Sequence, residues 1–197
     1  MKTFLNIDFN SSYKTQIKGF DDDNWNEIRL ALDKNVEPDF ERTLFDMSQV
    51  NSESLDVVYS CNNIECFYLH EVEIVLGEFL RVLNHDGYVV LQCRDLQSAC
   101  DYVSQDKLLD ILCESEAGSI SAMDILYGPM KDLKNGHHSR LHKCGFTYSA
   151  LIEVFRKAGF KKWIGGRRPK KFELFLIACK SDKADEDLNK LAFQFLP

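Results

Sequence analysis

Glycine is absent from the chain until Gly19. The first strand-like run, Phe4–Ile7, is followed by Asp8-Phe9-Asn10-Ser11-Ser12, so no glycine-rich turn stands behind it. Glycine at such a place serves positive φ and close approach of backbone to ligand. No phosphate loop, dinucleotide glycine fingerprint or Gly-x-Ser-x-Gly elbow occurs anywhere, which excludes the simplest nucleotide-hydrolase and serine-hydrolase readings. Long apolar runs are missing too. A membrane-spanning helix needs about 18 or more consecutive apolar residues, and the N-terminal MKTFLNIDFN turns polar too early for a secretory signal. Basic residues are in deficit, 24 against 31 acidic, for a net charge of −7. Broad nucleic-acid binding is thereby disfavoured, because attraction to phosphate needs a basic surface. The seven cysteines are odd in number and scattered through apolar runs, as for reduced thiols in the cytoplasm, not a disulfide framework. Repeats and low-complexity segments are also missing.

What is present is enough for one full core: 197 residues, 45% hydrophobic. The most informative segment is Leu55–Leu96. Leu55–Tyr59 is a short apolar run. Leu69, Val72, Val75, Leu76, Phe79, Leu80 and Leu83 then recur at helical spacing. Asn84-His85-Asp86-Gly87 interrupts that helix, and Tyr88–Cys93 is a second apolar run with β-branched residues. Two apolar strands joined through a helix predict a βαβ unit with parallel strands buried on both faces. Ligands of such sheets lie at the carboxyl ends of the strands, here Ser60–Glu65 and Arg94-Asp95. Further strands are predicted at Phe4–Ile7, Glu27–Leu32 and Phe40–Leu44, and a hairpin at Lys161–Gly166 and Phe172–Cys179. Asp95 and Thr147 are placed to cap the helices that follow them, and Gly159 to end the second. Glu114–Leu141 has no clear period and reads as a lid or binding loop. Asp182–Phe195 reads as a charged helix whose Leu188, Leu191, Ala192 and Phe195 form an apolar face. Residues 1–180 are thus expected as one α/β domain. Residues 181–197 form a helix packed on it or on a second copy, which leaves a homodimer open.

The Leu55–Leu96 segment resembles the second half of a class I S-adenosylmethionine-dependent methyltransferase. Asp56 opening a strand, the carboxylate Glu65, the helix end Arg81-Val82-Leu83 and the turn at Gly87 match the family pattern. Trp25–Asp39 is similar to the second strand and its ribose loop. Phe45-Asp46-Met47 is similar to the acidic turn at the adenine. Asp124–Gly128 and His142–Phe146 resemble a loop of one bacterial subgroup of small methyltransferase-like proteins, and Leu151–Phe160 the last helix before the closing hairpin. The resemblance runs from about Phe4 to Lys180. It implies an α/β three-layer sandwich with a Rossmann-like, seven-stranded, mostly parallel sheet closed by an antiparallel hairpin. It also implies S-adenosylmethionine as cofactor, S-adenosylhomocysteine as product and a small-molecule acceptor, with neither nucleic acid nor membrane as partner.

Several residues follow from that implied role. Asp46 and Met47 would meet the adenine and Asp33 the ribose. Asn6, Asp8 and Asn10 on one side, with Asn62 and Asn63 on the other, would meet the methionine end. Turn chemistry alone would also place Asp and Asn at strand ends. Glu65, His70, Tyr127 and His142 are the acceptor-side candidates, with His142 as base or clamp. His138 and His142 have a metal-like spacing of four, but Asn135-Gly136 and Gly145 argue against the helix it needs, and no further ligands complete a set; no metal is expected. The acidic run Asp21-Asp22-Asp23 lacks the glycine and distal glutamate of a calcium loop. The basic stretch from Lys161 to Lys171 reads as a solvated hairpin tip or as a site for an anionic substrate or partner. The departures at Asp8-Phe9-Asn10, Ala31 and Cys66 leave a second function open, a methyltransferase fold that has lost transfer and acts as a binding or scaffold subunit.

Overall fold

The structure is a computed structural model that describes residues 1–8, 13–30, 44–115 and 118–197. In chain order the elements are β1 (Lys2–Asp8), β2 (Trp25–Arg29), β3 (Leu55–Cys61), α1 (Leu69–Val82), β4 (Leu83–Arg94), α2 (Leu96–Val103), β5 (Ile111–Ser115), β6 (Gly118–Ser121), α3 (Ala122–Tyr127), α4 (Met130–Lys134), α5 (Tyr148–Ala158), β7 (Lys162–Arg168), β8 (Glu173–Cys179) and α6 (Asp185–Phe195). Single 3₁₀ turns lie at Lys14–Gln16, Ile64–Cys66, His138–Arg140 and Pro169–Lys171.

Among the described residues the main sheet has six strands in the order β2-β1-β3-β4-β8-β7, not seven. The first four are parallel; β8 runs antiparallel to β4, and β7 antiparallel to β8. Most of the expected strand Phe40–Leu44 falls outside the described residues, and Leu44 is buried at a turn. The fold is α/β and Rossmann-like, as expected, with a mixed sheet. Glu114–Leu141 departs from the expected irregular loop. It holds part of a small antiparallel hairpin, β5–β6, and the short helices α3 and α4. Ser121 and Asp124 cap α3 reciprocally, a local signal that hydrophobic periodicity does not carry.

Period two along the strands divides the core. Leu5, Ile7, Val58, Val89, Leu91, Leu174 and Leu176 face α1 and α5, whose Val72, Val75, Leu76, Phe79, Leu151 and Phe155 close that side. Phe4, Val57, Val90 and Ile177 face the other way. A parallel β1–β2 connection is ordinarily covered by a crossover helix. Here the described part of that connection, residues 13–24, contains one 3₁₀ turn. The exposed face is covered instead by α6, which brings Leu188, Phe195 and Leu196 onto Phe4, Phe20, Trp25 and Tyr88. The Phe195 ring lies 4.8 Å from Phe20 and 6.0 Å from Trp25. Gly19 is required for this approach: a Cβ there would lie 2.6 Å from Phe195 Cδ1 and 2.8 Å from the Gln194 carbonyl.

The residues that carry the family resemblance are largely architectural. Asp56 accepts from the Thr3 amide at 2.7 Å and from Asn84 Nδ2 at 3.1 Å, joining the starts of β1, β3 and β4. Arg81 forks onto Glu78 and reaches the carbonyls of Met47 (2.8 Å) and Val50 (3.0 Å), which fixes the turn before β3. A Cβ at Gly87 would sit 2.9 Å from Leu83 Cδ2. At the other end of the sheet, fully buried Asp95 accepts from Arg167 Nε (2.9 Å), Ser98 Oγ (2.6 Å) and the Gln97 amide (3.2 Å). Its own amide donates to the Phe172 carbonyl, and Leu96 donates to the Phe146 carbonyl. Asp95 thus joins β4, α2, the hairpin and the loop before α5.

Truncating Phe195 to alanine removes the ring that α6 lays on the sheet and should destabilise the chain by about 3 kcal/mol, read as a lower midpoint in urea. Arg167→Met leaves the buried Asp95 carboxylate uncompensated and should cost about 3 kcal/mol at neutral pH by the same measurement.

Candidate functional site

At the carboxyl ends of the central strands, β1 ends at Asp8 and β3 at Cys61, which are paired in register. Asn62 follows in the left-handed region at φ 52°, a conformation asparagine tolerates better than most residues. Its amide donates to the Gln92 carbonyl at 2.9 Å, which anchors the turn on β4. Its Nδ2 contacts Cys61 Sγ at 3.4 Å, and its Oδ1 is buried with no hydrogen-bond partner among the described residues. Buried acceptors are nearly always satisfied, so this oxygen marks a place for a donor. Asp8 is buried and, by period two, shares its face of the sheet with Tyr59 and Cys61.

The other expected cofactor residues fare differently. Asn10 and Asp33 lie outside the described residues. Asn6 is inside β1, where its Nδ2 donates to Glu27 Oε1 at 2.7 Å; it braces β1 on β2 below the strand end. Asn63 is completely buried, and its Nδ2 donates to the Ile7 carbonyl, which locks the loop to β1. Asp46 is exposed and accepts from the Ser48 amide at 3.0 Å. Met47 is a core residue whose amide donates to Glu78 (2.8 Å) and whose carbonyl accepts from Arg81. Of that turn, Asp46 is accessible to a ligand and Met47 is not.

The acceptor-side candidates do not converge. Glu65 is 1% exposed. Its Oε1 accepts from the Arg94 amide at 3.2 Å, and its carbonyl accepts from Lys143 (2.8 Å) and Cys144 (3.1 Å). It clasps the Asn62–Cys66 loop, the end of β4 and the His142–Phe146 segment together. His142 lies beside that clasp. Its Nδ1 is 2.9 Å from the Ile125 carbonyl, which can only accept, so Nδ1 donates there. Tyr127 receives the His142 amide on its carbonyl while its side chain is exposed. His70 is exposed on the first turn of α1 and stacks on Tyr68.

Three of the six basic residues from Lys161 to Lys171 are paired: Lys162 meets Asp185, Arg167 meets Asp95 and Arg168 meets Glu173. Lys161, Lys170 and Lys171 are exposed. The thiols at the site are quiet. Burial pushes Cys61, Cys66 and Cys93 well above the ordinary thiol range, and the Asp8 and Glu65 carboxylates add to it. Nucleophilic cysteine chemistry needs the opposite shift.

Residues that sequence reasoning missed are on the opposite side of the sheet from Glu65. Tyr59, Gln92 and Glu173 share the face of Asp8; Gln92 Nε2 donates to Glu173 Oε1 at 3.3 Å. Burial raises the Tyr59 phenol far above its ordinary value, and Cys61, Asp8 and Glu173 push the same way, so its hydroxyl stays protonated. Period two in β3 would have grouped Tyr59 with Cys61, but nothing local says that this face is open.

The comparisons with known proteins fit this geometry. Residues 11–91 match the methyltransferase domain family model, a span short of half the chain. None of the curated proteins matches the chain in sequence. Its fold is similar to an O-methyltransferase family protein from Burkholderia thailandensis, with 15% identity, TM-score 0.59 and coverage of 93% of this chain and 52% of that one. It is similar also to the 1,6-didemethyltoxoflavin-N1-methyltransferase of Burkholderia thailandensis with bound 1,6-didemethyltoxoflavin and S-adenosylhomocysteine, with 15% identity, TM-score 0.54 and coverage of 91% and 71%. A chain of the complex between the Haloferax volcanii Trm112 methyltransferase activator and a methyltransferase gives 11% identity, TM-score 0.55 and coverage of 92% and 83%. The chain spans about half the length of the first of these. Its fold is similar to that of these methyltransferases, and the family-model match agrees with that likeness. No helix among the described residues is long and apolar enough to cross a membrane.

With native protein at pH 8, a chromogenic disulfide reagent should modify exposed Cys100 first and leave Cys61, Cys66 and Cys93 unreacted. Rapid modification of Cys66 in the folded state would contradict its burial; mass mapping of the labelled peptides distinguishes the two.

Proposed function

We propose that the chain is an S-adenosylmethionine-dependent methyltransferase acting on a small molecule. The observation that carries the reading is the Asn62 turn. It places a buried acceptor oxygen without a partner beside Asp8, at the carboxyl ends of two adjacent parallel strands in the middle of the sheet. Parallel α/β sheets bind their ligands there. Two acceptors, one of them a carboxylate, suit the ammonium of the cofactor's methionine end, and exposed Asp46 suits an amino group on its base. When bound, the cofactor would supply a methyl group made electrophilic by its sulfonium. The protein's part is to hold donor and acceptor in line and exclude water. Asp8 and Asn62 would orient the donor, and the Asn63–Ile7 and Asn62–Gln92 hydrogen bonds keep their loop from shifting.

A second reading keeps the fold and drops the transfer. It is favoured by Asp8 in place of a glycine turn and by the single 3₁₀ turn in the described part of the β1–β2 connection. A helix N-terminus after the first strand is a common anchor for ligands of such folds, and none occurs in residues 13–24. Such a protein would act as a binding or scaffold subunit.

Isothermal titration decides between them. On the first reading S-adenosylmethionine and S-adenosylhomocysteine bind in the micromolar range, and Asp8→Ala and Asn62→Ala each weaken binding by about tenfold, the size of one lost hydrogen bond to a charged group. Flat traces for both ligands with folded protein would sink it.

A further inference from the structure

The carboxyl end of β4 carries a cation without a partner. Arg94 is half-buried, and its guanidinium has no hydrogen-bond or ion-pair partner among the described residues. Its backbone amide donates to Glu65 Oε1 at 3.2 Å, which fixes the strand end and uses none of the five guanidinium donors. The other described arginines, Arg29, Arg81, Arg140, Arg156, Arg167 and Arg168, are each in an ion pair. Glu173 is opposite Arg94 in the β4–β8 register, but its carboxylate is taken by Arg168 and by Gln92 Nε2. Two guanidiniums and one carboxylate leave this strand end with a charge of +1. Lys170 and Lys171, in the turn between the hairpin strands, are exposed and add to the positive side. The Arg94 charge also reaches the Cys61 thiol, at the end of β3 beside Asn62. Next to Arg94 on the same face is a cleft of about 200 Å³, with Tyr59, Val90, Gln92 and Phe175 as floor and Phe195 as wall. Gln92 and Phe175 face each other across β4 and β8, and Arg94–Glu173 is the next same-face pair. Arg94 thus stands one pleat, about 7 Å, beyond the floor. The one charged side chain of the cleft itself is Lys18, which donates to the Leu196 carbonyl.

We propose that Arg94 anchors the methyl acceptor and that the acceptor is a small carboxylic acid with an apolar body of about one ring. The body lies in the cleft against Val90, Phe175 and Phe195, and the carboxylate sits on the Arg94 fork. A cavity of about 150 Å³ takes a benzene ring, so the cleft has the room. The planar guanidinium presents paired donors that match the two oxygens of a carboxylate, and one such monoanion cancels the charge of the strand end. An alcohol would leave the guanidinium unpaired, and an amine would add a cation beside Arg94, Arg168 and Lys18. The role as acceptor rests on the methyltransferase reading; the preference for an acid does not. The cofactor's own carboxylate is a second source of the same chemistry. Its ammonium is assigned above to Asp8, on β1, which is two strands from β4 and so roughly 10 Å across the sheet. That separation favours the acceptor as the source.

The test is nuclear magnetic resonance titration of the full labelled chain with 3-phenylpropionate, 3-phenylpropan-1-ol, 3-phenylpropylamine and 2-phenylethyl phosphate, with and without S-adenosylhomocysteine. The carboxylic acid is expected to bind about tenfold or more tightly than the alcohol, the size of a lost hydrogen bond to a charged group, with the amine weakest. Shifts are expected at the Val90 methyls, the Gln92 side-chain amide and the Arg94 Nε–H. Arg94→Gln should bring the acid down to the affinity of the alcohol and leave that of S-adenosylhomocysteine unchanged. Val90→Phe should abolish binding of both by filling the cleft. Equal binding of acid and alcohol, preference for the amine or the phosphate ester, or an acid affinity that survives Arg94→Gln would each overturn the proposal. So would an Arg94→Gln variant that loses S-adenosylhomocysteine while the parent chain ignores the acid at millimolar concentration, because Arg94 would then hold the cofactor's carboxylate. If S-adenosylhomocysteine fails to bind the parent chain while the acid preference holds, the methyltransferase reading and the acceptor role fail together and the acid site stands.

Discussion

A sheet with apolar side chains on both faces must be covered on both, and in this chain the covers come from distant parts of the sequence. On one side α1 follows β3 and leads into β4, and α5 leads into β7, so each is close in sequence to a strand of the sheet. On the other, the connection between β1 and β2 provides, in its described part, only one turn of 3₁₀ helix, and α6 arrives from the end of the chain to close the face. Phe195 is the centre of that closure, against Phe20, Trp25 and Tyr88. The apolar area removed from water by these rings is the driving force. Gly19 is the steric condition that permits it.

The consequence reaches the functional end. A helix in the ordinary place would run alongside the strands and fill the space over Tyr59 and Gln92. The substitute leaves a cleft there, floored by Tyr59, Val90 and Gln92. Three of the motifs by which the chain resembles the class I methyltransferases, Asp56, Arg81 and Gly87, do their work elsewhere, at the amino ends of the strands and at the far end of α1. Glu65 and the His142–Phe146 string are also architectural: the first clasps three segments and the second completes the clasp. A sequence resemblance built on such residues speaks for the fold more firmly than for any particular chemistry, because the chemistry depends on groups at the opposite end of the sheet.

Two ionic arrangements, the first part-exposed and the second buried, hold the two ends of the sheet. Arg81 with Glu78 fastens the turn before β3, and Asp95 with Arg167 fastens β4 to the closing hairpin. The second is completely buried on the carboxylate side. Pairs of this kind contribute register and geometry more than net stability, since desolvation offsets much of their attraction. Here the geometry matters: Asp95 fixes where β4 ends and therefore where the Gln92 carbonyl meets the Asn62 amide.

The βαβ unit from Leu55 to Leu96, the helix before the hairpin and the hairpin itself were legible from period, caps and turns, because each depends on neighbours within a few residues. Asp95 and Thr147 cap their helices in the structure. The small hairpin β5–β6 and the helices α3 and α4 were not legible; their stability comes from contacts with α2 and from caps, not from a long apolar face. Of the candidate site, Asp8 and Asn62 could be named from their place at strand ends. What the sequence by itself determined is the parallel core and which of its ends is the carboxyl end, where sheets of this kind bind ligands, since alternation and strand direction follow from local rules. Only tertiary structure decided which face stays open and which polar residues line it. Tyr59, Gln92 and Phe175 come from three strands, and the cleft over them is bounded by residues at opposite ends of the chain, a juxtaposition that only packing produces.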